Sequence, residues 1–327
     1  MTTPSHIEAD PQWLPHRIDL PGRRMQFLRI AREDIGAKEF LADRTPAAPQ
    51  DDAWLPLDDV MAMRPDTGPL HFIFHTAFCR STLLVRALDA GDISVGLSEP
   101  GIFAGLASGG EAVRPLVKPV LDLLSRPMAP GATTFVKPTN HANMLAPALM
   151  AARPDAKAVV MTNALPKFLG SVARRGLMGR RWGRQLYLET MGYAGMDLGM
   201  DAREQFSMTD MQAAGLAWFF AQRWFAMQMA GGAGSRFRVL DGDRFNENRC
   251  ETLRAIAHFA KVDGLADRAE SIAHGPLFAE HAKLGGAFAE QEEPSATAPE
   301  EAEQVGQWIG MIAARAGLDV PLAQTLF

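Results

Sequence analysis

Four groups that suit anion binding and group transfer follow predicted strands of this chain. The first is the segment Thr76–Thr82, which connects the apolar strand Leu70–Phe74 to a helix. The other three are single residues at the ends of later strands: Glu99, Lys137 and Asn163. The carboxyl ends of parallel strands meet at one edge of a sheet, so we expect these groups to lie together. An anion-binding backbone with a carboxylate and an ammonium group suits transfer from a phosphate-bearing donor to a hydroxyl.

The connection after the first strand is predicted to bind an anion through its backbone. Ser81 or Thr82 can cap the first turn of the helix, whose free N–H groups then point at a ligand. The GxxxxGK[ST] pattern of kinase loops is not met, because the segment has no glycine and Arg80 stands where the lysine would be. The expected binding residues are Thr76, Ala77, Phe78, Cys79, Arg80, Ser81 and Thr82.

The elements that position these groups alternate between strands and helices. Predicted strands are Leu70–Phe74, Ile93–Leu97, Thr133–Val136, Ala156–Met161 and Phe237–Leu240. Predicted helices are Ser81–Ala90, Ala112–Ser125, Met144–Ala152, one beginning at Pro166, Met211–Ala230 and Cys250–Ala260. This alternation favours an α/β fold with a mainly parallel sheet and helices on both faces.

The chain divides into three predicted parts. Residues 1–66 form a small N-terminal appendage, with a strand at Met25–Ile30, a helical turn at Ile35–Leu41 and a short helix at Trp54–Met63. Residues 67–288 form the main domain. Residues 289–327 combine an acidic linker, Ala289–Gln304, with a C-terminal helix that docks on the body through one apolar face: Val305, Trp308, Ile309 and Ile312.

Composition excludes several classes of protein. The 327 residues are 47% hydrophobic and carry a formal net charge of −5, which does not favour a nucleic-acid or membrane-surface partner. Two cysteines cannot build a disulfide framework or a four-cysteine metal site. Residues 1–30 lack the apolar core of a signal peptide, and polar residues interrupt the most apolar helix, so we expect a cytoplasmic protein. The acceptor and the oligomeric state stay open.

One segment of this acidic protein is strongly basic. Residues 157–184 contain seven lysines and arginines and no acid, which favours an anionic ligand over a merely solvated face. Lys137 ends a buried strand, where an unpaired ammonium group is costly, so it is expected to be functional. Simpler structural roles are expected for His75, for Cys79 as an apolar filler, and for Asp241 as a turn cap.

Three stretches together resemble the sulfotransferase family, in particular its divergent bacterial branch. They are His75-Thr76-Ala77-Phe78-Cys79-Arg80-Ser81-Thr82, Ser98-Glu99-Pro100 and Phe135-Val136-Lys137-Pro138-Thr139-Asn140. The segment Ala158–Ser171 is similar to the family's second signature, with Ser171 as its serine, and His281–Gly286 is similar to a C-terminal cofactor loop. The resemblance spans about residues 70–285. It departs at Phe78, which replaces a basic residue, and at Arg80, which replaces a glycine.

The resemblance implies a P-loop-type fold and 3′-phosphoadenosine-5′-phosphosulfate as the sulfuryl donor, with no metal. The Thr76–Thr82 segment would hold the 5′-phosphosulfate, and the 3′-phosphate would be bound by Asn163, Ser171 and Arg175, where Arg174 is the alternative arginine. Lys137 would neutralise the bridging oxygen. Glu99 would accept the proton of a small acceptor's hydroxyl or amine, with His141 as the second base.

Two other functions stay open at the level of sequence. An ATP-dependent phosphotransferase would need Mg²⁺, which Ser81 and Asp241 would hold. A non-catalytic nucleotide-binding protein on a degenerate P-loop would explain the missing glycines and lysine of the loop.

Overall fold

The computed structural model describes residues 2–36, 40–278 and 298–327. Within these residues there are eight strands: β1 Trp13–Asp19, β2 Arg24–Arg29, β3 Asp52–Pro56, β4 Leu70–His75, β5 Ser94–Ser98, β6 Thr133–Lys137, β7 Ala158–Thr162 and β8 Phe237–Asp241. The helices of the N-terminal half are α1 Pro4–Ala9, α2 Arg32–Ile35, α3 Leu57–Ala62, α4 Ser81–Ala87, α5 Ile102–Ser108, α6 Val117–Leu124 and α7 Ala146–Ala152. Those of the C-terminal half are α8 Leu165–Arg174, α9 Gly176–Ala194, α10 Ala202–Ser207, α11 Asp210–Ala230, α12 Gly242–Glu247, α13 Arg249–Ala260, α14 Asp263–Ala273 and α15 Ala298–Arg315.

Five strands form the parallel sheet that the alternation predicted. Their order is β5-β6-β4-β7-β8, and every neighbouring pair is parallel. Side chains alternate between the two faces of β4, so Phe72 and Phe74 enter one hydrophobic core while Ile73 enters another. Helices cover both faces, which confirms the α/β, P-loop-like fold class.

The strand order creates a crevice at the carboxyl end of β4. The connection from β4 runs to β5, at one edge of the sheet, and the connection from β7 runs to β8, at the opposite edge. Ligands in open α/β sheets bind at such a divergence, where the connections from two adjacent strands separate. The segment after β4 and Asn163 after β7 therefore border the same crevice.

The N-terminal part differs from its prediction. β1, β2 and β3 form an antiparallel sheet, in which Trp54 pairs with Gln26. The predicted helix at 54–63 is wrong in its first half, because Leu55 is buried between two exposed neighbours, as in a strand, and α3 starts only after Pro56. Of the predicted turn at 35–41, the middle residues 37–39 lie outside the described residues; α2 ends at Ile35 and a 3-10 turn begins at Leu41.

Helices α8, α9, α11 and α15 build a separate hydrophobic cluster beside the sheet. A Cβ atom at Gly183 of α9 would lie 2.7 Å from the Cβ of Ala214, so this glycine permits the close approach of α9 to α11. Val305 and Ile309 of α15 are buried in this cluster, and Trp308 and Ile312 pack against it. The helix begins at Ala298, however, so the last part of the predicted acidic linker is helical.

The aromatic residues of α11 belong to the core, as expected, with Trp218, Phe219, Phe220 and Phe225 buried and Trp224 half-buried. Within the described ranges, no helix is long and apolar enough to cross a bilayer.

Candidate functional site

The segment between β4 and α4 adopts a left-handed backbone without using glycine. Ala77, Phe78 and Arg80 have φ angles of +72°, +52° and +62°. L-residues enter this region at a cost of about 1–3 kcal/mol each, and such residues cluster at functional sites. Six non-glycine residues of the described chain have a positive φ angle. Three of them are in this segment, and a fourth is Glu99, with a φ of +52°. The strained backbone is therefore concentrated at the edge of the sheet that carries the predicted site.

Contacts with β7 and β8 hold this backbone in place. The Thr76 N–H donates to the Met161 carbonyl, and the Asn163 side-chain amide donates to the Phe78 carbonyl at 3.2 Å. A Cβ atom at Gly242 would lie 2.4 Å from the Cys79 carbonyl oxygen, so the turn after β8 touches the loop closely enough to require glycine. The loop itself contains no glycine, but its close packing against the turn after β8 requires a glycine at position 242.

His75 and Cys79 have structural roles here. The Ala77 N–H donates to Nδ1 of His75, and His75 Nε2 donates to the Pro138 carbonyl at 3.2 Å, which ties the loop to the segment after β6. The N–H groups of Thr76 and Ala77 are thus engaged within the protein, so an anion would be held by groups later in the segment. Complete burial raises the pKa of the Cys79 thiol, which keeps it protonated and fits the filler role.

Lys137 and Glu99 form an ion pair at the ends of β6 and β5. The Lys137 side chain is completely buried, whereas 17% of the Glu99 side chain is exposed. The Glu99 N–H also donates to the Lys137 carbonyl at 2.8 Å, so backbone and side chain both join the two residues. β6 lies directly beside β4 in the sheet. The structure therefore brings these two predicted residues together next to the loop.

The N-terminal part of the chain covers this ion pair. The Lys137 ammonium lies 5.3 Å from the centre of the Phe40 ring, and the Ala42 N–H donates to the Glu99 carbonyl. Sequence reasoning assigned no chemistry to residues 1–66, and it had no signal for this contact because the two segments are far apart in the chain.

Arg80 and the residues after β8 form a second charged group beside the loop. Asp243 accepts from Lys167 and lies 3.8 Å from the Arg80 guanidinium. The carboxylate of Asp241 caps α12, accepting from the N–H groups of Asp243 at 2.9 Å and Arg244 at 3.1 Å. The expected capping role of Asp241 is confirmed.

Ser171 lies at the end of α8 among the arginines predicted with it. Arg174 donates to the Ser171 hydroxyl at 2.9 Å, and Arg175 donates to the Ser171 carbonyl at 2.8 Å. The Arg175 guanidinium is 4.1 Å from the centre of the Phe78 ring, so this group is in contact with the loop. Burial lowers the pKa of Arg175, with a further contribution from Arg174.

Acidic residues from elsewhere in the chain neutralise part of the basic segment 157–184, which the sequence predicted to bind an anion. Three of its cations have acidic partners from later elements: Lys167 pairs with Asp243, Arg180 with Glu301, and Arg184 with Asp210. These partners lie 26 to 121 residues away in sequence. The positive charge around residues 157–184 is therefore smaller in the structure than the acid-free sequence indicated.

His141 belongs to a network that the sequence did not reveal. Its Nδ1 donates to the Glu189 carboxylate, and its Nε2 accepts from the Trp182 indole N–H at 3.2 Å. Gln185 donates to the other oxygen of Glu189 at 3.0 Å. Residues 182, 185 and 189 recur at helical spacing on one face of α9, and this spacing was the available signal.

Several buried polar atoms at this edge of the sheet have no hydrogen-bond partner in the described structure. They are Oγ of Ser98, Nδ2 of Asn140 and Oδ1 of Asn163, in side chains that are each more than nine-tenths buried. Buried polar atoms usually find a partner, and a polar ligand bound at this edge of the sheet would supply one for these three. In residues 2–36, 40–278 and 298–327, no three His, Cys, Asp or Glu side chains converge as metal ligands would. The expected cofactor loop His281–Gly286 lies outside the described residues.

The sequence matches no protein-family model and no curated protein. Among solved structures, the chain is similar to the sulfotransferase domain from the curacin biosynthetic pathway. The two are 12% identical, the likeness covers 78% of this chain and 99% of that domain, and the TM-score is 0.45. A likeness of this size carries no argument about activity.

Proposed function

We propose that this protein transfers a sulfuryl group from 3′-phosphoadenosine-5′-phosphosulfate to a hydroxyl or amine of a small acceptor. The observation that carries the proposal is the position of the Lys137–Glu99 pair beside a left-handed loop, at the carboxyl edge of a parallel sheet. The first-turn N–H groups of α4 suit the anionic oxygens of a phosphosulfate. Ser81 and Thr82 add hydroxyl groups at the same place.

The reaction needs charge stabilisation more than covalent chemistry. The acceptor oxygen attacks sulfur, the bond from sulfur to the bridging oxygen breaks, and its electron pair stays on the 5′-phosphate. The ammonium group of Lys137 would stabilise the charge that develops on that oxygen. The proton of the acceptor passes to a base, for which Glu99 and His141 are the two candidates. The products are a sulfate ester and adenosine 3′,5′-bisphosphate.

The 3′-phosphate would be bound where α8 ends. Ser171 and Arg175 contact each other, and Arg175 also stacks on Phe78 of the loop. Asn163 donates to the Phe78 carbonyl of the loop, and its Oδ1 has no hydrogen-bond partner in the described structure. The Ser171 and Arg175 group would therefore hold one end of the nucleotide while the loop holds the other.

A phosphotransferase is less well supported by the same residues. Mg²⁺ would need a free carboxylate near Ser81, but Asp241 caps α12 and Asp243 lies between Arg80 and Lys167. Binding measurements without a known acceptor distinguish the two functions. We expect adenosine 3′,5′-bisphosphate to raise the melting temperature without Mg²⁺, and to do so more than ATP with Mg²⁺. The reverse order would favour the phosphotransferase.

The site itself is tested by a double variant. Ser171→Ala with Arg175→Ala should weaken binding of the bisphosphate roughly ten- to a hundredfold per lost contact. Binding of adenosine 5′-phosphosulfate, which has no 3′-phosphate, should change little. Arg268→Ala, at an exposed arginine of α14, is the control. Equal losses for both ligands would place the 3′-phosphate elsewhere, and binding without any transfer would favour a non-catalytic protein.

A further inference from the structure

The hydrogen bonds of His141 leave one definite tautomer. Glu189 is a carboxylate and can only accept, so the proton of the ring is on Nδ1. The Trp182 indole can only donate, so Nε2 presents its lone pair. A histidine held by a carboxylate at Nδ1, with a basic Nε2, is the arrangement that enzymes use to remove a proton from a hydroxyl.

Glu189 is itself held in position. One oxygen accepts from His141 and the other accepts from Gln185, four residues earlier on the same helix. The His141 and Glu189 side chains are 36% and 26% exposed, so this pair is more accessible than the pair formed by Lys137 and Glu99. A small acceptor can reach His141 without uncovering the core.

Trp182 connects this pair to the loop. Its ring centre lies 5.0 Å from that of Phe78 and 6.1 Å from that of His141. The indole N–H occupies the place at Nε2 where the hydroxyl of an acceptor would donate. The acceptor must therefore displace the indole before its proton can be removed.

On these grounds, and resting on the proposed sulfuryl transfer, we infer that Glu189 is the positioning residue that makes His141 the base. We infer also that the Trp182 indole N–H occupies Nε2 of His141 until an acceptor displaces it. As the acceptor oxygen bonds to sulfur and the bridging bond breaks, the hydroxyl proton moves to Nε2. The resulting imidazolium is stabilised by Glu189, which stays unprotonated. Glu99 then serves to hold Lys137 and is not the base.

The tautomer is tested first, by nitrogen NMR of histidine-labelled protein, with His141→Gln used to assign the signals. The wild-type protein should show His141 protonated at Nδ1. Glu189→Gln should move the proton toward Nε2, because an amide N–H can donate to Nδ1, and Glu189→Asp should keep the wild-type tautomer. A wild-type His141 protonated at Nε2 alone would overturn the inference.

Kinetics test the role itself, with 3′-phosphoadenosine-5′-phosphosulfate and a panel of p-nitrophenol, simple alcohols and amines. Glu189→Gln should lower kcat by about 10²–10⁴ while the Kd of adenosine 3′,5′-bisphosphate stays within about twofold. Glu189→Asp should recover part of kcat. Trp182→Phe should lower the KM of the acceptor and keep kcat, since no indole N–H must be displaced. The control Glu251→Gln, at an exposed position of α13, should match wild type.

The outcomes separate the two proposals. If the bisphosphate binds and transfer occurs, but Glu189→Gln keeps the wild-type kcat, the inference fails and the proposed function stands. If the bisphosphate binds and no member of the panel accepts, the role of His141 as base is overturned. If the wild-type protein neither binds the bisphosphate nor transfers, both proposals fail.

Discussion

The ammonium group of Lys137 pairs with the carboxylate of Glu99 across two neighbouring strands, and β6, the strand that ends in Lys137, lies directly beside β4. Ser98 is opposite Lys137 in the register of β5 and β6, which sets Glu99 one residue beyond the strand end. The positive φ of Glu99 lets the chain turn back there toward Lys137. A buried cation in this position is stable because its partner is fixed by both backbone and side chain.

Breaking this pair should destabilise the fold. Lys137→Met leaves the Glu99 carboxylate without its partner and should lower the free energy of unfolding by about 3–5 kcal/mol, measured by urea denaturation. The double variant Lys137→Met with Glu99→Gln should lose less than the sum of the two single variants. Additive losses would show that the two side chains do not stabilise each other.

Gly242 should be essential for the shape of the loop. A side chain there would press on the Cys79 carbonyl, so Gly242→Ala should cost roughly 1–3 kcal/mol and weaken binding of adenosine 3′,5′-bisphosphate. Gly192→Ala is the matched control, because a Cβ atom on this α9 glycine meets nothing within 4 Å. That variant should gain up to about 1 kcal/mol. A Gly242→Ala protein with normal stability and binding would contradict the close contact.

Asp243 should compete with an anionic ligand for Arg80. Asp243→Asn removes the charge that Arg80 and Lys167 face, so the Kd for inorganic sulfate, measured by calorimetry, should fall about two- to fivefold. Asp267→Asn, on the exposed surface of α14, controls for net charge. An unchanged Kd would indicate that Arg80 does not contact the anion.

Stability should fall as the solution becomes acidic. Burial lowers the pKa of His16 and of His71 from 6.5 to about 4, so both stay neutral in the folded protein. Below pH 6.5 the unfolded chain takes up protons that the folded chain does not, and the free energy of unfolding drops until about pH 4. The difference corresponds to roughly 3 kcal/mol for each histidine at most.

Single variants show which histidine causes this pH dependence of stability. His71→Phe should be less stable than wild type at pH 7, because the ring accepts a hydrogen bond from the Lys157 N–H, yet its stability should depend less on pH between 6.5 and 4. His258→Asn, at an exposed position of α13, should keep the wild-type slope. Denaturation curves across this range measure both slopes, and an unaltered slope in His71→Phe would exclude His71 as a source.

The sequence alone determined the parallel sheet and the residues at its edge. Strand and helix signals are local, since they depend on the apolar spacing of adjacent residues, and β4 and β7 therefore appear within one or two residues of their predicted bounds. The rule that parallel strands present their carboxyl ends at one edge then placed Glu99, Lys137 and Asn163 together. No long-range information was needed for either step.

Only the tertiary structure decided which of these groups contact each other. The partners of Lys137 and His141 lie 38 and 48 residues away, and a single sequence carries no signal for pairing at such distances. The loop shows the same limit, because Gly242, which closely approaches the Cys79 carbonyl, follows β8, two strands away from β4 in the sheet. Local residues decide which elements form, whereas packing across the sheet decides which charges meet and which backbone conformations are held.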